Sequence, residues 1–250
     1  MPIRLTFPLR PDEARALPPY PGRALHALFY QWLAIGDYSL STQVHDQDGA
    51  RPFTVSPICT VSGRPTLHLA LLEDRLWPAL SAGISITPTI ELMGRPLTLP
   101  PNGPQVEQCS YADLAAGGRA ETRIGVRFLS PTSFRSHEMH YPLPDPGLVY
   151  QSWLARWNTF APEEVRINVA LLDVVAAHVA VGRYELRTEM VDLGEERKVV
   201  GFVGMVQYNV LRAGMIGEEW VRRLNVLADY AAFCGTGHKT AQGMGQTRRT

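Results

Sequence analysis

The order of the patterned segments limits the folds open to this chain more than any other feature, because the same order occurs twice. Residues 3–7 alternate apolar and polar side chains, as a half-buried strand does. The helix that follows has an apolar face at helical spacing, formed by Leu25, Leu28, Phe29, Trp32 and Leu33. Strand-like runs at 53–61 and 66–72, a short helix at 74–82 and a strand at 84–92 come next. This order, β-α-β-β-α-β, is that of the ferredoxin-like unit.

The second half of the chain predicts the same unit. We predict a strand at 123–129, helices at 148–160 and 163–181, a strand pair at 183–193 and 199–211, and an amphipathic helix at 218–234. The last residues complete the order as a final strand. The Gly117-Gly118 pair marks the break between the halves. We therefore predict an α+β protein of two tandem ferredoxin-like (RRM-like) domains, one at residues 1–118 and one at residues 119–250.

The composition excludes several classes of function. The 24 Lys and Arg residues balance 24 Asp and Glu residues, so a uniformly basic nucleic-acid-binding surface is excluded. Cys59, Cys109 and Cys234 are far apart and odd in number, which argues against a disulfide framework or a cysteine zinc site. We expect no metal site, no cofactor, no signal peptide, no membrane segment and a cytoplasmic location.

The segment Gly235–Gly245 is the densest local motif, with four glycines in eleven positions and with His238 and Lys239 between them. Backbone without side chains can turn its N–H groups toward phosphate oxygens, and the two basic side chains add donors. A P-loop would need glycine where His238 stands, and a dinucleotide-binding motif would need glycine at Thr240. We therefore expect an extended polyanion as the ligand. Glycines that serve only a tight helix-to-strand connection remain the alternative.

Six segments of the chain carry a family resemblance. They are Arg51–Pro57, Val126–Phe134, Leu143–Pro146, Arg156–Phe160, Gly201–Gly204 and Ala231–Gly245. These segments resemble motifs of the CRISPR-associated repeat-cleaving endoribonucleases, the sixth Cas family, and the last of them is similar to that family's C-terminal glycine-rich motif. The resemblance implies two tandem ferredoxin-like domains, which the order of elements predicts on its own. It also implies metal-independent cleavage of CRISPR precursor RNA.

The resemblance further implies a catalytic group in the first domain. In that family a tyrosine on the first helix combines with a histidine in the loop after it and a basic residue at the next strand. The matching residues are Tyr30, His45 in the polar loop 39–50, and Arg51. His26, one turn before Tyr30 on the same helix face, is the rival for the acid–base role. Arg51 stands where lysine is common and holds its proton, so we assign it to charge stabilisation.

The implied reaction uses the ribose 2′-OH as the internal nucleophile and leaves a 2′,3′-cyclic phosphate and a 5′-OH. Histidine suits the proton transfers, because its pKa lies near the operating pH. The residues expected to bind RNA are Gly235, Gly237, His238, Lys239, Gly243, Gly245 and Arg135.

The expected partner is CRISPR repeat RNA, in the form of precursor crRNA, and no interaction with membranes is expected. A homodimer and association with subunits of a CRISPR effector complex stay open. The alternative function is a catalytically inactive RNA-binding subunit of a CRISPR ribonucleoprotein complex, since one fold hosts many functions.

Overall fold

The structure, a computed structural model, describes residues 1–10, 12, 20–57, 59–61, 64–136, 139–193 and 198–250. The chain divides into two units, of which the first comprises Met1–Gln108 and Thr240–Gly243. The second comprises Cys109–Lys239 and Met244–Thr250. The chain therefore changes units ahead of the Gly117-Gly118 pair, and the glycine-rich tail contributes residues to both units.

The first unit has one main sheet with helices packed on it. Its elements are β1 (Ile3–Pro8), α1 (Gly22–Gly36), α2 (Tyr38–Asp46), β2 (Phe53–Val55), β3 (Cys59–Val61), β4 (Arg64–Leu71), α3 (Trp77–Ser85), β5 (Thr89–Leu92), β6 (Arg95–Thr98) and β7 (Gln105–Gln108). The main sheet has the order β2-β4-β1-β7, β3 also pairs with β4, and all of these pairs are antiparallel. This is the strand order of a ferredoxin-like domain.

The last strand of this sheet is not the one that the sequence predicts. The first part of the predicted strand at 84–92 belongs to α3, and its end, β5, pairs with β6 in a separate hairpin. The place beside β1 is taken by β7, whose residues are all exposed. A strand that is exposed along its whole length shows no alternation of apolar and polar residues, so the sequence pattern does not reveal it.

The apolar face of α1 enters the core of the first unit, as predicted. Its buried residues include Leu25, Leu28, Phe29, Trp32 and Leu33. The Trp32 ring stacks on Phe7 of β1 with ring centroids 5.7 Å apart, and Phe29 stacks on Phe53 of β2 at 3.6 Å. These contacts fix the rotation of α1 about its own axis, which decides where its polar side chains lie.

The polar segment after α1, expected to be a loop, is largely the helix α2. Asp37 caps the N-terminus of α2 by accepting a hydrogen bond from the Leu40 N–H at 2.9 Å. The Ser41 hydroxyl donates to the Tyr30 carbonyl at 3.2 Å and so ties α2 to α1. Within α2 the buried residues are Ser41 and Val44, so the apolar spacing that signals a helix is missing. The prediction of a loop was wrong for this reason.

The second unit repeats the architecture of the first. Its elements are α4 (Tyr111–Ala116), β8 (Arg123–Thr132), β9 (Phe134–Ser136), β10 (Met139–Tyr141), α5 (Pro146–Phe160), α6 (Leu171–His178), β11 (Val179–Asp192), β12 (Lys198–Val210), α7 (Ala213–Ile216), α8 (Glu218–Cys234) and β13 (Thr247–Arg249). The sheet has the order β11-β12-β8-β13, the ferredoxin-like order again. The predicted α+β fold of two tandem ferredoxin-like domains is confirmed. Within the described ranges, no helix is long and apolar enough to cross a bilayer.

The helix expected at 163–181 is shorter than predicted, because α6 covers only its middle and β11 takes its end. Ahead of α6, the Asn158 side chain binds both backbone groups of Ile167. Its Nδ2 donates to the Ile167 carbonyl at 2.7 Å, and its Oδ1 accepts from the Ile167 N–H at 2.9 Å. These bonds occupy backbone groups that a continuous helix would pair with itself.

A chain of hydroxyl groups holds the tail within the second unit. The indole N–H of Trp153 donates to Thr236 Oγ1 at 2.8 Å, and the hydroxyls of Thr236 and Thr247 lie 2.7 Å apart. Thr247 Oγ1 donates to the Gly245 carbonyl at 2.8 Å. Since Thr247 uses its proton on Gly245, Thr236 donates to Thr247 and accepts from Trp153. All three side chains are buried, so this direction of donation satisfies groups that water does not reach.

Replacing Thr236 with valine keeps the shape of the side chain and removes the acceptor of the buried Trp153 N–H. We expect Thr236→Val to lower the free energy of unfolding by about 1–3 kcal/mol, the cost of an unpaired buried polar group. Urea unfolding followed by tryptophan fluorescence measures this change. The control is Thr159→Val on α5, the helix that carries Trp153, where an exposed hydroxyl bonds the Ala155 carbonyl. It should change stability by no more than about 0.5 kcal/mol. Equal losses in the two variants would contradict the role of the buried hydroxyls.

Candidate active site

Two imidazoles contact one phenol ring in the first unit. The ring centroid of Tyr30 lies 5.0 Å from that of His26, one turn earlier on α1, and 5.2 Å from that of His45 on α2. Both imidazoles meet the phenol edge to face. The hydrogen bond from Ser41 to the Tyr30 carbonyl ties α2 to α1 at this place. The structure thus brings Tyr30, His26 and His45 together, whereas the resemblance implied Tyr30 with His45 and left His26 as the rival of His45.

His26 is held by a backbone carbonyl and by an aromatic ring. Its Nδ1 lies 2.9 Å from the carbonyl oxygen of Ala241, and its ring stacks on Phe53 with centroids 5.5 Å apart. A carbonyl only accepts hydrogen bonds, so Nδ1 carries the proton and Nε2 is left with the lone pair. Burial lowers the pKa of His26; the bond to Ala241 opposes this shift, and the charges of Arg51 and His45 add to it. The imidazole of His26 is therefore mainly neutral at pH 7.

His45 differs from His26 in its exposure. It lies in the last turn of α2, its side chain is 68% exposed, and its Nδ1 is 3.1 Å from Asp46 Oδ1. A carboxylate only accepts, so Nδ1 of His45 carries the proton and Nε2 is directed away from Asp46. The expectation that His45 lies on a loop was wrong, since α2 extends to Asp46. The helix nevertheless places His45 beside Tyr30.

Arg51 fixes the end of α2 next to the phenol. Its Nη1 donates to the Val44 carbonyl at 2.9 Å and also to the Gln47 carbonyl. Carbonyls at the C-terminus of a helix lack partners within the helix, and a cation there stabilises them. The Tyr30 hydroxyl donates to the same Val44 carbonyl at 3.5 Å. Burial raises the pKa of Tyr30 and the charge of Arg51 opposes this shift, so the phenol stays protonated at neutral pH.

This cluster offers imidazole, phenol and guanidinium groups for chemistry. Imidazoles remove and deliver protons near neutral pH, and a fixed guanidinium stabilises negative charge on oxygen. In the part of the chain that the structure describes, no three His, Cys, Asp or Glu side chains are grouped so as to hold a metal ion. The arrangement is suited to proton transfer at a negatively charged centre.

The tail glycines have backbone roles inside the fold. Gly235, Gly237, Gly243 and Gly245 have positive φ angles between 66° and 86°, which other residues rarely adopt. The N–H groups of Gly235, Gly237 and Gly245 donate to the Ala231 carbonyl, the Ser152 hydroxyl and the Pro131 carbonyl. These three N–H groups are therefore used within the second unit. For them, the structure supports the alternative that the glycines form a tight connection.

Two side chains of α5 hold the backbone of Gly237, and the sequence did not reveal this role. The Gly237 N–H donates to Ser152 Oγ at 2.8 Å, and Arg156 Nη2 donates to the Gly237 carbonyl at 2.6 Å. Arg156 Nη1 also donates to Ser152 Oγ at 2.6 Å. The i, i+4 spacing of Ser152 and Arg156 was the available signal, but such pairs are common on helix surfaces.

Basic side chains surround His238. The pKa of His238 is lowered to about 4, mainly by burial and further by the charges of its basic neighbours. The neighbours are His140, Lys239, Arg135 and Arg156. The His238 and His140 rings lie 4.9 Å apart, and His140 pairs across the β9–β10 hairpin with the exposed Arg135. The buried Nε2 of His238 has no hydrogen-bond partner among the described residues. Arg135, His238 and Lys239 thus share one basic region of the second unit, which we call the tail basic cluster.

Models of one protein family match most of the chain. The model of the CRISPR Cas6 N-terminal domain matches residues 1–93, which include Tyr30, His45 and Arg51. The model of the CRISPR-associated endoribonuclease Cas6 matches residues 126–247, which include the glycine-rich tail.

Curated relatives have the same name. The CRISPR-associated endoribonuclease Cas6 of Streptococcus thermophilus is 26% identical over 125 residues, which are 50% of this chain and 49% of that protein. The Cas6 of Mycobacterium tuberculosis (strain ATCC 25618 / H37Rv) is 28% identical over 131 residues, 52% of this chain and 40% of that protein. The matches thus span half or less of the length of these curated relatives.

Solved structures match over the whole chain. A product complex of Thermus thermophilus Cas6 (TTHB231) superposes with a TM-score of 0.84 and 25% identity, covering 100% of this chain and 99% of that one. A product complex of Cas6 (TTHA0078) gives a TM-score of 0.82 and 27% identity, covering 100% of both chains. The chain belongs to the family of the CRISPR-associated endoribonuclease Cas6.

Proposed function

We propose that the protein is an endoribonuclease that cleaves CRISPR precursor RNA within its repeats to give crRNA, without a metal ion. Its family and the names of its curated relatives support RNA cleavage. Cas6 structures with a product and with a substrate mimic, which this chain resembles over its whole length, support a related ligand. The observation that carries the chemistry is the contact of one tyrosine ring with two imidazoles in different environments.

The two imidazoles suit opposite proton transfers. His26, mainly neutral and with its proton on Nδ1, accepts the proton of the 2′-OH at Nε2. The 2′-oxygen attacks the phosphorus, the bond to the 5′-oxygen breaks, and protonated His45 delivers its Nε2 proton to that oxygen. The products are a 2′,3′-cyclic phosphate and a 5′-OH. One site can hold both an acid and a base when two titratable groups lie in different environments.

Arg51 and Tyr30 complete the proposed site. Arg51 is held by two carbonyls at the end of α2, so its charge is fixed before the substrate arrives. A fixed cation stabilises the extra charge on the phosphorane without giving up its proton. Tyr30 stays protonated and contacts both imidazole rings, so it orients them.

The tail basic cluster is proposed to contact the RNA backbone. Arg135 and Lys239 provide positive charge, and phosphate contacts of this kind fix the register of a nucleic acid. His238, whose pKa is lowered to about 4, lies between them as a neutral ring. The tail glycines contribute by shaping the segment that carries His238 and Lys239. The first domain thus supplies the acid–base groups, and the second binds the repeat RNA, in the cytoplasm. A homodimer and effector-complex subunits as partners stay predictions.

Removing either imidazole should slow cleavage far more than it weakens binding. We expect His45→Ala, and separately His26→Ala, to lower the single-turnover rate by about 10²–10⁴-fold, the usual contribution of a general acid or base. Labelled repeat RNA measures both the rate and the affinity. Gln43→Ala, an exposed position on α2 two residues before His45, is the matched control and should keep full activity.

Full activity of His45→Ala, with loss in His26→Ala, would assign the whole acid–base role to His26. Full activity in both variants would refute the site. Wild-type protein that binds repeat RNA and never cleaves it would instead favour the catalytically inactive RNA-binding subunit.

The substrate should supply the nucleophile. A single 2′-deoxy substitution at the nucleotide 5′ of the cut should abolish cleavage and leave binding nearly unchanged, because phosphate contacts carry most of the affinity. The same substitution one nucleotide downstream is the control and should be cleaved. The assay is run in EDTA, and the product ends are identified. Cleavage of the first deoxy substrate, or 5′-phosphate products that require Mg²⁺, would overturn the mechanism.

The lysine of the tail should contribute one phosphate contact. We expect Lys239→Ala to weaken RNA binding and to reduce the slope of log K against log salt by about 0.7–0.9. Lys198→Ala removes the only other lysine of the chain, at the exposed start of β12, and should leave the slope unchanged. Titrations at four or more salt concentrations give both slopes. An unchanged slope in Lys239→Ala would mean that the tail serves the fold alone.

A further inference from the structure

The side chain of His26 meets a backbone turn from the far end of the chain. The residues Thr240–Gln242 form a 3-10 turn, and Thr240–Gly243 belongs to the first unit. Ala241 is buried in the core of that unit, and its carbonyl accepts from His26 Nδ1 at 2.9 Å. A backbone acceptor at this distance selects the tautomer with the proton on Nδ1, whereas free histidine mostly carries it on Nε2.

Two glycines allow the turn to approach α1. Gly22 is the first residue of α1, and a Cβ there would overlap the carbonyl oxygen of Gln242. Gly243 has φ +86°, and a Cβ there would lie 3.3 Å from the Gly22 Cα. Gly22 and His26 are four residues apart and so share a face of the helix. The turn therefore packs on α1 at one position and binds His26 one helical turn later.

We propose that the turn Thr240–Gly243 positions His26 for catalysis, through the Ala241 carbonyl, and that Gly22 and Gly243 are the positioning residues that make this contact fit. This inference rests on the proposed function for its catalytic part. It gives the glycine-rich tail a second role: Lys239 directly precedes the turn, so the segment proposed to bind RNA continues into the segment that sets the acid–base group.

The groups that face His26 explain why a fixed tautomer matters. Arg23 and Tyr30 lie on the same helix, His45 on α2, and Arg51 before β2. Burial is the largest cause that lowers the pKa of His26, and the three basic groups among them add to it by repelling a proton. The ring therefore remains a neutral acceptor. The bond to the Ala241 carbonyl then decides which of the two ring nitrogens can accept a proton.

The experiment compares two alanine substitutions at opposite ends of α1 in the full chain. Gly22→Ala displaces the tail turn. Gly36→Ala is the matched control, because a Cβ there would overlap the Ala79 carbonyl oxygen on α3, far along the helix from His26. Imidazole ¹⁵N chemical shifts at neutral pH report the tautomer of His26 without any RNA, and cleavage assays give kcat and the RNA affinity. Gly243→Ala serves if Gly22→Ala does not fold: its Cβ meets the Gly22 Cα at 3.3 Å, and the φ of +86° strains the turn itself rather than α1.

We expect wild type and Gly36→Ala to hold the Nδ1–H tautomer, and Gly22→Ala to lose it. With the accepting nitrogen misplaced, kcat should fall about 10- to 100-fold, more than the RNA affinity does. The inference is overturned if wild-type His26 carries its proton on Nε2, if Gly22→Ala keeps the wild-type tautomer, or if Gly36→Ala changes both readouts equally. Because the tautomer is measured without RNA, a protein that holds the Nδ1–H tautomer and fails to cleave would refute the proposed function and leave this contact standing.

Discussion

The rotation of α1 on its sheet is the constraint from which the candidate site follows. The stacked pairs Trp32 with Phe7 and Phe29 with Phe53 fix that rotation in the core. The same rotation turns Gly22 toward the tail turn and places His26 against the Ala241 carbonyl. Burial of a large aromatic side chain contributes a few kcal/mol, more than a single partly exposed hydrogen bond does. The hydrophobic face therefore sets the position of the polar groups, and not the reverse.

Two histidines on one phenol are useful because their surroundings differ. His26 is partly buried and faces other cations, so its neutral form is favoured. His45 is exposed beside a carboxylate that accepts from its Nδ1. A reaction that moves one proton off an oxygen and another onto an oxygen uses a base for the first transfer and an acid for the second. In both rings Nδ1 is hydrogen-bonded within the protein, to the Ala241 carbonyl in His26 and to Asp46 in His45. Nε2 is therefore the nitrogen left for proton transfer in each ring.

Sequence patterns predicted the elements that bury an apolar face and missed those that do not. The apolar face of α1 was predicted residue by residue and the helix at 218–234 with its observed limits, because each buries a periodic stripe. Helix α2 and strand β7 were missed, since the buried residues of α2 are Ser41 and Val44, too few for an apolar stripe, and β7 is exposed throughout. The site residues followed from resemblance to a family. Their partners, such as Ala241 and Arg156, are backbone or long-range contacts that no local pattern encodes.

In a P-loop one glycine-rich turn both shapes the backbone and binds the phosphate, whereas in this tail the glycines shape the backbone. In a P-loop the backbone N–H groups of a glycine-rich turn bind the phosphate directly. Here the N–H groups of Gly235, Gly237 and Gly245 are used by the fold, so these three are not available to a phosphate, and the proposed phosphate contacts are assigned to side chains. Charged side chains such as Lys239 neutralise phosphates without reading bases. In the proposed function, the side chains of the tail therefore contribute affinity and register through phosphate contacts, which carry no sequence information of their own.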